Sequence, residues 1–285
     1  MSASKWAMLG LGLALGGCSW VGQMAQDSVE GATSYYSSDH FTLVVTVPAN
    51  FGFTSKAQYS PKERQDCTVY SPGLGGSVTR QQQKSDKTVA KSTEQTLSTE
   101  IPLEYHIAGC AMEITRVDYE VDATYGSDAW DHDLDHAGGL AIVETASATT
   151  PDGTEQRGLC TWLFQISTAK AKKGEIEKIL SCSAADIAWN VPEDRFKKRK
   201  PGGVAVRSEL TNKTVSVTFR QSAKEKPSYQ GYWFKAPDGW KPCTGRWGTE
   251  REELCTTPPK FRTFKMGVHE CTVYPNCTEQ GALND

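Results

Sequence analysis

Cysteine spacing is the feature that most limits what this chain of 285 residues can fold into. Nine cysteines are present, and eight of them are dispersed beyond residue 60. None belongs to a Cys-x-x-Cys pair, which argues against a zinc ribbon or a thioredoxin-type redox site. Only 38% of the residues are hydrophobic. An even number of dispersed cysteines and a thin core together predict four disulfides formed in an oxidising compartment.

The clearest secondary-structure pattern surrounds two of these cysteines. Residues 161–166 and 175–180 are strand-prone and flank a lysine-rich turn, and folding them together places Cys160 opposite Cys182. Cβ atoms directly opposite each other in an antiparallel pair lie close enough for a disulfide. A helix over residues 170–181 is the alternative, because the apolar residues there also fit helical spacing. The hairpin is favoured because it explains the cysteine positions.

Three further disulfides are predicted among the remaining cysteines, although many pairings are possible. Cys271 and Cys277 are close enough in sequence to close a small loop, and Cys243 and Cys255 flank a short segment with helical character. The third predicted pair is Cys67 with Cys110. The tetrapeptide Cys-Thr-Val-Tyr begins at both Cys67 and Cys271. It indicates either a chance recurrence or a faint internal repeat of two related β domains.

Runs of β-branched residues that end at Pro or Gly predict an all-β chain. A change in hydrophobic parity near Arg116 predicts a β-bulge. A basic run followed by Pro201-Gly202-Gly203 is typical of a linker over residues 191–203. We therefore predict two small disulfide-stapled β-sandwich-like domains, residues 39–190 and 204–285, behind a tether at residues 18–38. Tyr35 and Tyr36, near the end of that tether, are expected to dock on the folded part.

The first residues have the pattern of an export signal. Lys5 is the only charge before an apolar run from Trp6 to Leu15, and that run is too short to cross a bilayer. The run ends in the sequence Leu15-Gly16-Gly17-Cys18. These four residues resemble the lipobox of bacterial lipoproteins.

The resemblance implies that residues 1–17 are a signal peptide and that Cys18 carries the lipid. Several acyl chains on one residue hold a protein firmly on a membrane without spanning it. Ser19 follows Cys18, whereas Asp at that position is the inner-membrane retention signal of Gram-negative lipoproteins. The resemblance therefore implies an outer-membrane anchor with the protein facing the periplasm.

Charge and exposed side chains suggest a protein partner. The net charge of −3 argues against nucleic-acid binding, which usually requires a basic excess. The basic run predicts contact with an anionic lipid, lipopolysaccharide or acidic partner, with a solvated loop as the alternative. Aromatic side chains either anchor partners or fill the core. The predicted partner-facing residues are Trp130, Arg195, Lys197, Lys198, Arg199, Trp233 and Trp240.

One segment has the composition of a metal site. Asp131, Asp133 and Asp135 alternate as at the start of an EF-hand calcium loop, although the glycine and the bidentate glutamate of that loop are missing. His132 and His136 would share one face of a helix and could form a zinc pair with a carboxylate. The alternative is an acidic loop between strands. No resident cofactor is predicted beyond this weak calcium or zinc site.

No catalytic residue is predicted, because a Gly-x-Ser-x-Gly nucleophile elbow is absent and the cysteines are expected to be oxidised. The anchor, the size and the lack of catalytic motifs resemble periplasmic immunity lipoproteins. That resemblance implies a non-enzymatic protein-binding module that occludes a secreted toxin, such as an antibacterial lipase. A peptidoglycan- or glycan-binding module and a structural envelope lipoprotein are alternatives. A metal-dependent enzyme would require His132, His136 and a nearby carboxylate to converge.

Overall fold

The computed structural model describes nine segments of the chain: residues 34–62, 67–145, 153–165, 177–194, 197–228, 233–236, 239–242, 263–266 and 268–272. The predicted signal peptide, the lipidation at Cys18 and the Cys243–Cys255 pair lie outside these residues. Within the described segments, no helix has the length and apolar character needed to cross a membrane.

Seven strands form the first sheet, and β9 is its centre because it pairs antiparallel with β3, β8 and β10. β6 pairs with β3, β1 pairs with β8, and β13 runs parallel to β10. The strands are β1 (Tyr35–Tyr36), β3 (Phe51–Pro61), β6 (Gln82–Thr88), β8 (Glu104–Ile107), β9 (Cys110–Thr124), β10 (His132–Val143) and β13 (Gly202–Val206).

Six strands form the second sheet, in the order β12-β11-β14-β2-β7, with β15 beside β11. The strands are β2 (His40–Val47), β7 (Gln95–Pro102), β11 (Glu155–Gln165), β12 (Glu177–Ala184), β14 (Thr214–Gln221) and β15 (Lys226–Pro227). β14 is parallel to both of its neighbours, whereas the outer pairs β12–β11 and β2–β7 are antiparallel.

Three short hairpins and one helical turn complete the described structure. The hairpins are β4 (Thr68–Ser71) with β5 (Gly76–Thr79), β16 (Trp233–Ala236) with β17 (Gly239–Pro242), and β18 (Thr263–Met266) with β19 (His269–Thr272). The helical turn spans Arg207–Leu210.

The two sheets enclose one hydrophobic core. Alternate residues of β2 point inward, and burial follows every second position from Phe41 to Val47. Phe53 of the first sheet contacts Phe219 of the second, with ring centroids 6.0 Å apart. Burial also raises the pKa of the Tyr119 hydroxyl, which keeps it neutral inside the core. The predicted all-β, sandwich-like, disulfide-stapled fold is confirmed.

Two local predictions are confirmed by strand register. Cys160 lies directly opposite Cys182 and forms a disulfide with it, so the helical alternative for residues 177–181 is wrong. The register between β3 and β9 shifts at Thr115, beside the position predicted from the parity change. The bulge lets hydrophobic residues before and after it face the same core.

The second predicted disulfide in the described residues joins Cys67 to Cys110 and so attaches the β4–β5 hairpin to the start of β9. Cys271 is buried and disulfide-bonded, but its partner lies outside the described residues. The Cys271–Cys277 pair therefore stays a prediction.

The predicted domain boundaries need correction. β13 contains the last residues of the predicted linker, and it is hydrogen-bonded to β10 of the first sheet. β14 lies between β11 and β2 in the second sheet, so residues assigned to a second domain complete the first. Tyr35 and Tyr36 dock as expected, but they do so as strand β1, so the predicted tether ends before them. Long-range pairing of β13 and β14 has no local sequence signal.

Candidate functional site

A groove with a volume of about 790 Å³ crosses the solvent-facing side of the seven-stranded sheet. Its floor contains Gly139 of β10, which pairs with Gly202 of β13. A Cβ atom on Gly139 would lie 2.4 Å from the Val117 carbonyl oxygen, and one on Gly202 would lie 2.3 Å from the Gly139 oxygen. Glycine is therefore required at both positions, and the missing side chains create the depression.

Charged side chains of β9 stand along the groove. Arg116, Asp118 and Glu120 occupy alternate positions and point outward, because the residues between them are buried in the core. Lys56 of β3 lies opposite Asp118, and His136 of β10 lies opposite Glu120. Three strands thus place five charged or titratable groups on one surface.

A bulge in β10 positions His136 over this surface. The register between β9 and β10 shifts between His136 and Gly138, which leaves the buried Ala137 as the extra residue. Gly138 has a φ angle of +111°, and a Cβ atom there would lie 1.8 Å from the Pro201 carbonyl oxygen. The glycine is therefore necessary for the bulge. His136 Nδ1 lies 3.2 Å from Glu120 Oε1.

The acids of the groove lie beneath their basic partners. Lys56 Nζ is 2.5 Å from Glu120 Oε1, Lys200 Nζ is 2.6 Å from Asp135 Oδ2, and Arg116 pairs with Asp118. The side chains of Lys56, Lys200, Arg116 and His136 are 30%, 44%, 61% and 82% exposed, whereas those of Glu120, Asp135 and Asp118 are 12%, 14% and 27% exposed. A ligand approaching from solvent meets the basic groups first.

The basic run ends at the groove with Lys200. Lys197, Lys198 and Arg199 are exposed and lead directly to Lys200 at the groove, while Arg195 lies outside the described residues. The segment is not a free linker at this end, because the Arg199 carbonyl accepts a hydrogen bond from the Ala184 amide at 2.7 Å. Lys198 lines a separate depression on the six-stranded sheet, so of the described residues in this run only Lys200 lines the groove.

Two of the acidic residues that suggested a metal site have a structural role. Residues 132–143 form β10, which is neither a helix nor a calcium loop. Asp133 Oδ2 accepts the Leu180 amide at 2.7 Å, and Asp135 Oδ2 accepts the Cys182 amide at 2.8 Å. These carboxylates satisfy backbone groups on β12, the edge strand of the other sheet. Residues 132–143 therefore lack the loop geometry of an EF-hand, and calcium binding by this segment stays a prediction.

The helical arrangement proposed for the zinc pair is not formed, although zinc binding itself stays a prediction. His132 and His136 are exposed, whereas Asp131 is fully buried and Asp133 and Asp135 reach toward β12. Residues four apart on a strand are separated by about 13 Å, too far for both rings to bind one ion. Among the described residues, no three His, Cys, Asp or Glu side chains are grouped to hold a metal ion.

Of the three tryptophans predicted to face a partner, the structure describes the side-chain exposure of one. Trp130 is 64% exposed and lies in the turn before β10. The same turn contacts the β18–β19 hairpin through Ser127, whose amide donates to the Lys265 carbonyl at 2.9 Å. In the β16–β17 hairpin, Trp233 pairs with Pro242 and Trp240 pairs with Lys235. A partner-facing role for Trp233 and Trp240 stays a prediction.

Sequence reasoning missed most of the groove residues. The alternating charges Arg116, Asp118 and Glu120 were a signal for an exposed strand face, but nothing local connects them to Lys56 or Lys200. No protein-family model, curated protein or solved structure matches the chain.

Proposed function

We propose that this chain is a lipid-anchored envelope protein that binds another protein and is not itself an enzyme. The observation that carries the proposal is the glycine-floored groove, in which four basic side chains stand above their acidic partners. A rigid sheet with a preformed, charged depression suits recognition, because little conformational entropy is lost on binding.

Attachment to the membrane would occur at the N-terminal end of the mature chain. The lipobox-like sequence at Cys18 would anchor the chain, and the residues after it would separate the sandwich from the membrane. An outer-membrane anchor facing the periplasm would expose the groove to proteins in that compartment. Oxidised cysteines agree with such a compartment, since disulfides persist in oxidising environments.

The finer form of the proposal is an immunity protein that covers the active site of a secreted toxin. Lys197, Lys198 and Arg199 are exposed basic residues that precede Lys200 in the chain, and Trp130 is an exposed aromatic residue elsewhere. Exposed Trp and Arg residues often contribute much of the binding energy of protein interfaces. An antibacterial lipase is one such toxin.

Affinity capture tests the proposal with two matched variants of the chain from residue 19 onward. The groove variant carries Arg116→Gln and Lys200→Gln, and the control variant carries Lys91→Gln and Lys213→Gln, which lie outside the groove lining. Both variants lose two positive charges. We expect the wild type and the control variant to retain one stoichiometric protein from a lysate of the source organism, and the groove variant to lose it.

Equal capture by both variants would contradict the groove as the binding surface. Absence of any protein partner, combined with co-sedimentation of the wild type with purified peptidoglycan, would favour the glycan-binding alternative. Mass spectrometry of the captured protein then decides whether it is a secreted toxin.

A further inference from the structure

We infer that the groove binds an acidic, extended segment of a protein partner, whose carboxylates pair with the basic side chains. This inference rests on the proposed function and specifies its ligand. In each acid–base contact made by a basic residue of the groove, the basic side chain is at least twice as exposed as its acidic partner. The side chains that a ligand reaches first are therefore the four basic ones, while their three acidic partners lie beneath them.

The acids position the basic groups without preventing them from binding a ligand. Glu120 lies between Lys56 and His136 and contacts both, and Asp135 contacts Lys200 while accepting the Cys182 amide. The basic side chains remain partly exposed, so a ligand carboxylate can reach them without displacing the acids beneath. The groups are also held in place before binding, which lowers the entropic cost of recognition.

The spacing of the groove matches an extended polypeptide. Arg116 and Glu120 are four residues apart on β9, which corresponds to about 13 Å along the strand. Glu120 contacts both Lys56 and His136, so these two basic groups lie near that end of the groove. Side chains on one face of an extended segment recur about every 7 Å. Carboxylates at the first and fifth residues of a bound segment would therefore meet opposite ends of the groove. Because the groove floor consists of glycine, the backbone of the bound segment can approach the sheet closely.

A compact phosphate group fits the groove less well. Phosphate sites usually converge several backbone N–H groups on one point. Here the Gly139 amide on the groove floor already donates to the Pro201 carbonyl at 3.0 Å. The basic side chains are also spread along the strands rather than gathered around one centre. Separate carboxylates match this distribution better than one concentrated charge.

Fluorescence anisotropy with defined peptides tests the inference. The probe is a fluorescein-labelled decapeptide of alternating Glu and Ser, and the reference probe replaces every Glu with Gln. We expect the wild type and the control variant to bind the Glu peptide equally, with an affinity that falls as salt is added. The groove variant should bind about tenfold more weakly, and none of the proteins should bind the Gln peptide.

Folding is checked by comparing thermal unfolding midpoints, and Arg116→Gln alone keeps the test valid if the double variant unfolds early. That single variant removes the more exposed of the two charges and should weaken binding of the Glu peptide severalfold. Equal binding of the Glu and Gln peptides, or equal binding by the groove and control variants, would overturn the inference. Displacement of the Glu peptide by inositol hexakisphosphate at a much lower concentration than by unlabelled peptide would also overturn it, in favour of a phosphate ligand.

The outcome distinguishes this inference from the proposed function. A captured protein partner that the groove variant loses, together with no preference for the Glu peptide, would overturn the acidic segment and leave the binding function in place. Selective binding of the Glu peptide without any captured protein would support the charge preference and overturn the protein-binding function.

Discussion

The two edges of the six-stranded sheet are closed in different ways. At the β12 edge, carboxylates of β10 from the opposite sheet accept the Leu180 and Cys182 amides. At the β7 edge, the Lys84 ammonium of β6 donates to the Glu100 carbonyl at 3.1 Å. Both arrangements occupy backbone groups that would otherwise invite another strand to pair. An anion satisfies N–H groups on one side, and a cation satisfies a C=O group on the other.

The two edges differ in how firmly they are held. The β12 edge also contains the Cys160–Cys182 disulfide and an ion pair between Lys178 and Glu225, whose side chains are 1% and 3% exposed. At the β7 edge the side chain of Lys84 is 28% exposed, and it also lies near Asp86. The β12 edge is the one next to the groove, because Asp135 holds Lys200 there. The more strongly stabilised edge therefore supports the candidate site.

Breaking the buried ion pair should have the largest effect. Lys178→Met would remove the ammonium group 2.5 Å from the buried Glu225 carboxylate, and we expect a loss of about 3–5 kcal/mol in the free energy of unfolding. Urea denaturation measures it. Adding Glu225→Gln to Lys178→Met should recover part of the loss, because the buried charge is then removed. A loss no larger than that of an exposed pair would show that this ion pair is not a main stabiliser of the β12 edge.

Removing the edge disulfide should have the next largest effect. The Cys160→Ala/Cys182→Ala variant removes a cross-link between residues that are 22 apart in sequence. We expect a loss of about 3 kcal/mol in the free energy of unfolding. The matched variant Cys67→Ala/Cys110→Ala removes a disulfide that lies away from this edge and joins cysteines 43 residues apart in sequence. It should lower the free energy of unfolding by a similar amount. Only the first variant is expected to weaken binding of the Glu peptide, since only that disulfide adjoins Asp135. Equal weakening of Glu-peptide binding by the two variants would show that the groove does not depend on the β12 edge.

Neutralising the edge carboxylates should have a moderate effect. Asp135→Asn weakens the bond to the Cys182 amide and the contact with Lys200, and we expect a loss of about 1–2 kcal/mol. Asp133→Asn is the matched control, because Asp133 bonds the Leu180 amide and no contact with Lys200 is seen for it. Chemical denaturation measures both losses. A larger loss for Asp133→Asn would contradict a stabilising role of the Lys200 contact.

The β7 edge should be the least sensitive. Lys84→Met removes an exposed, charge-assisted bond to the Glu100 carbonyl while keeping the aliphatic stem, and we expect a loss below about 1 kcal/mol. The same denaturation experiment measures it. A loss equal to that of Asp135→Asn would show that the two edges are held equally, which contradicts the comparison.

Prediction from sequence succeeded where the signal is local. The alternation of apolar residues on both sides of Cys160 and Cys182 determines a hairpin register, because a one-residue slip would turn every side chain to the other face. The parity change beside Thr115 likewise indicates a bulge without knowledge of the partner strand. Both features are encoded within about twenty consecutive residues.

Prediction failed where one spacing fits two structures. His132 and His136 are four apart, which places them on one face of a helix but about 13 Å apart on a strand. Pairing with β9 decides for the strand and turns the neighbouring carboxylates toward β12. Pro201-Gly202-Gly203 has the composition of a linker, and only the close approach to Gly139 shows why glycine is needed there.

The sequence by itself determined the strand-rich character of the chain, its dispersed cysteines and the register of its clearest hairpin, because these depend on periodicities within short segments. The tertiary structure decided the groove. Lys56, Arg116 and Lys200 are far apart in sequence and meet only because β3, β9, β10 and β13 adopt one long-range register. That register is selected by burial of one common core, a property of the whole sandwich that no single segment contains.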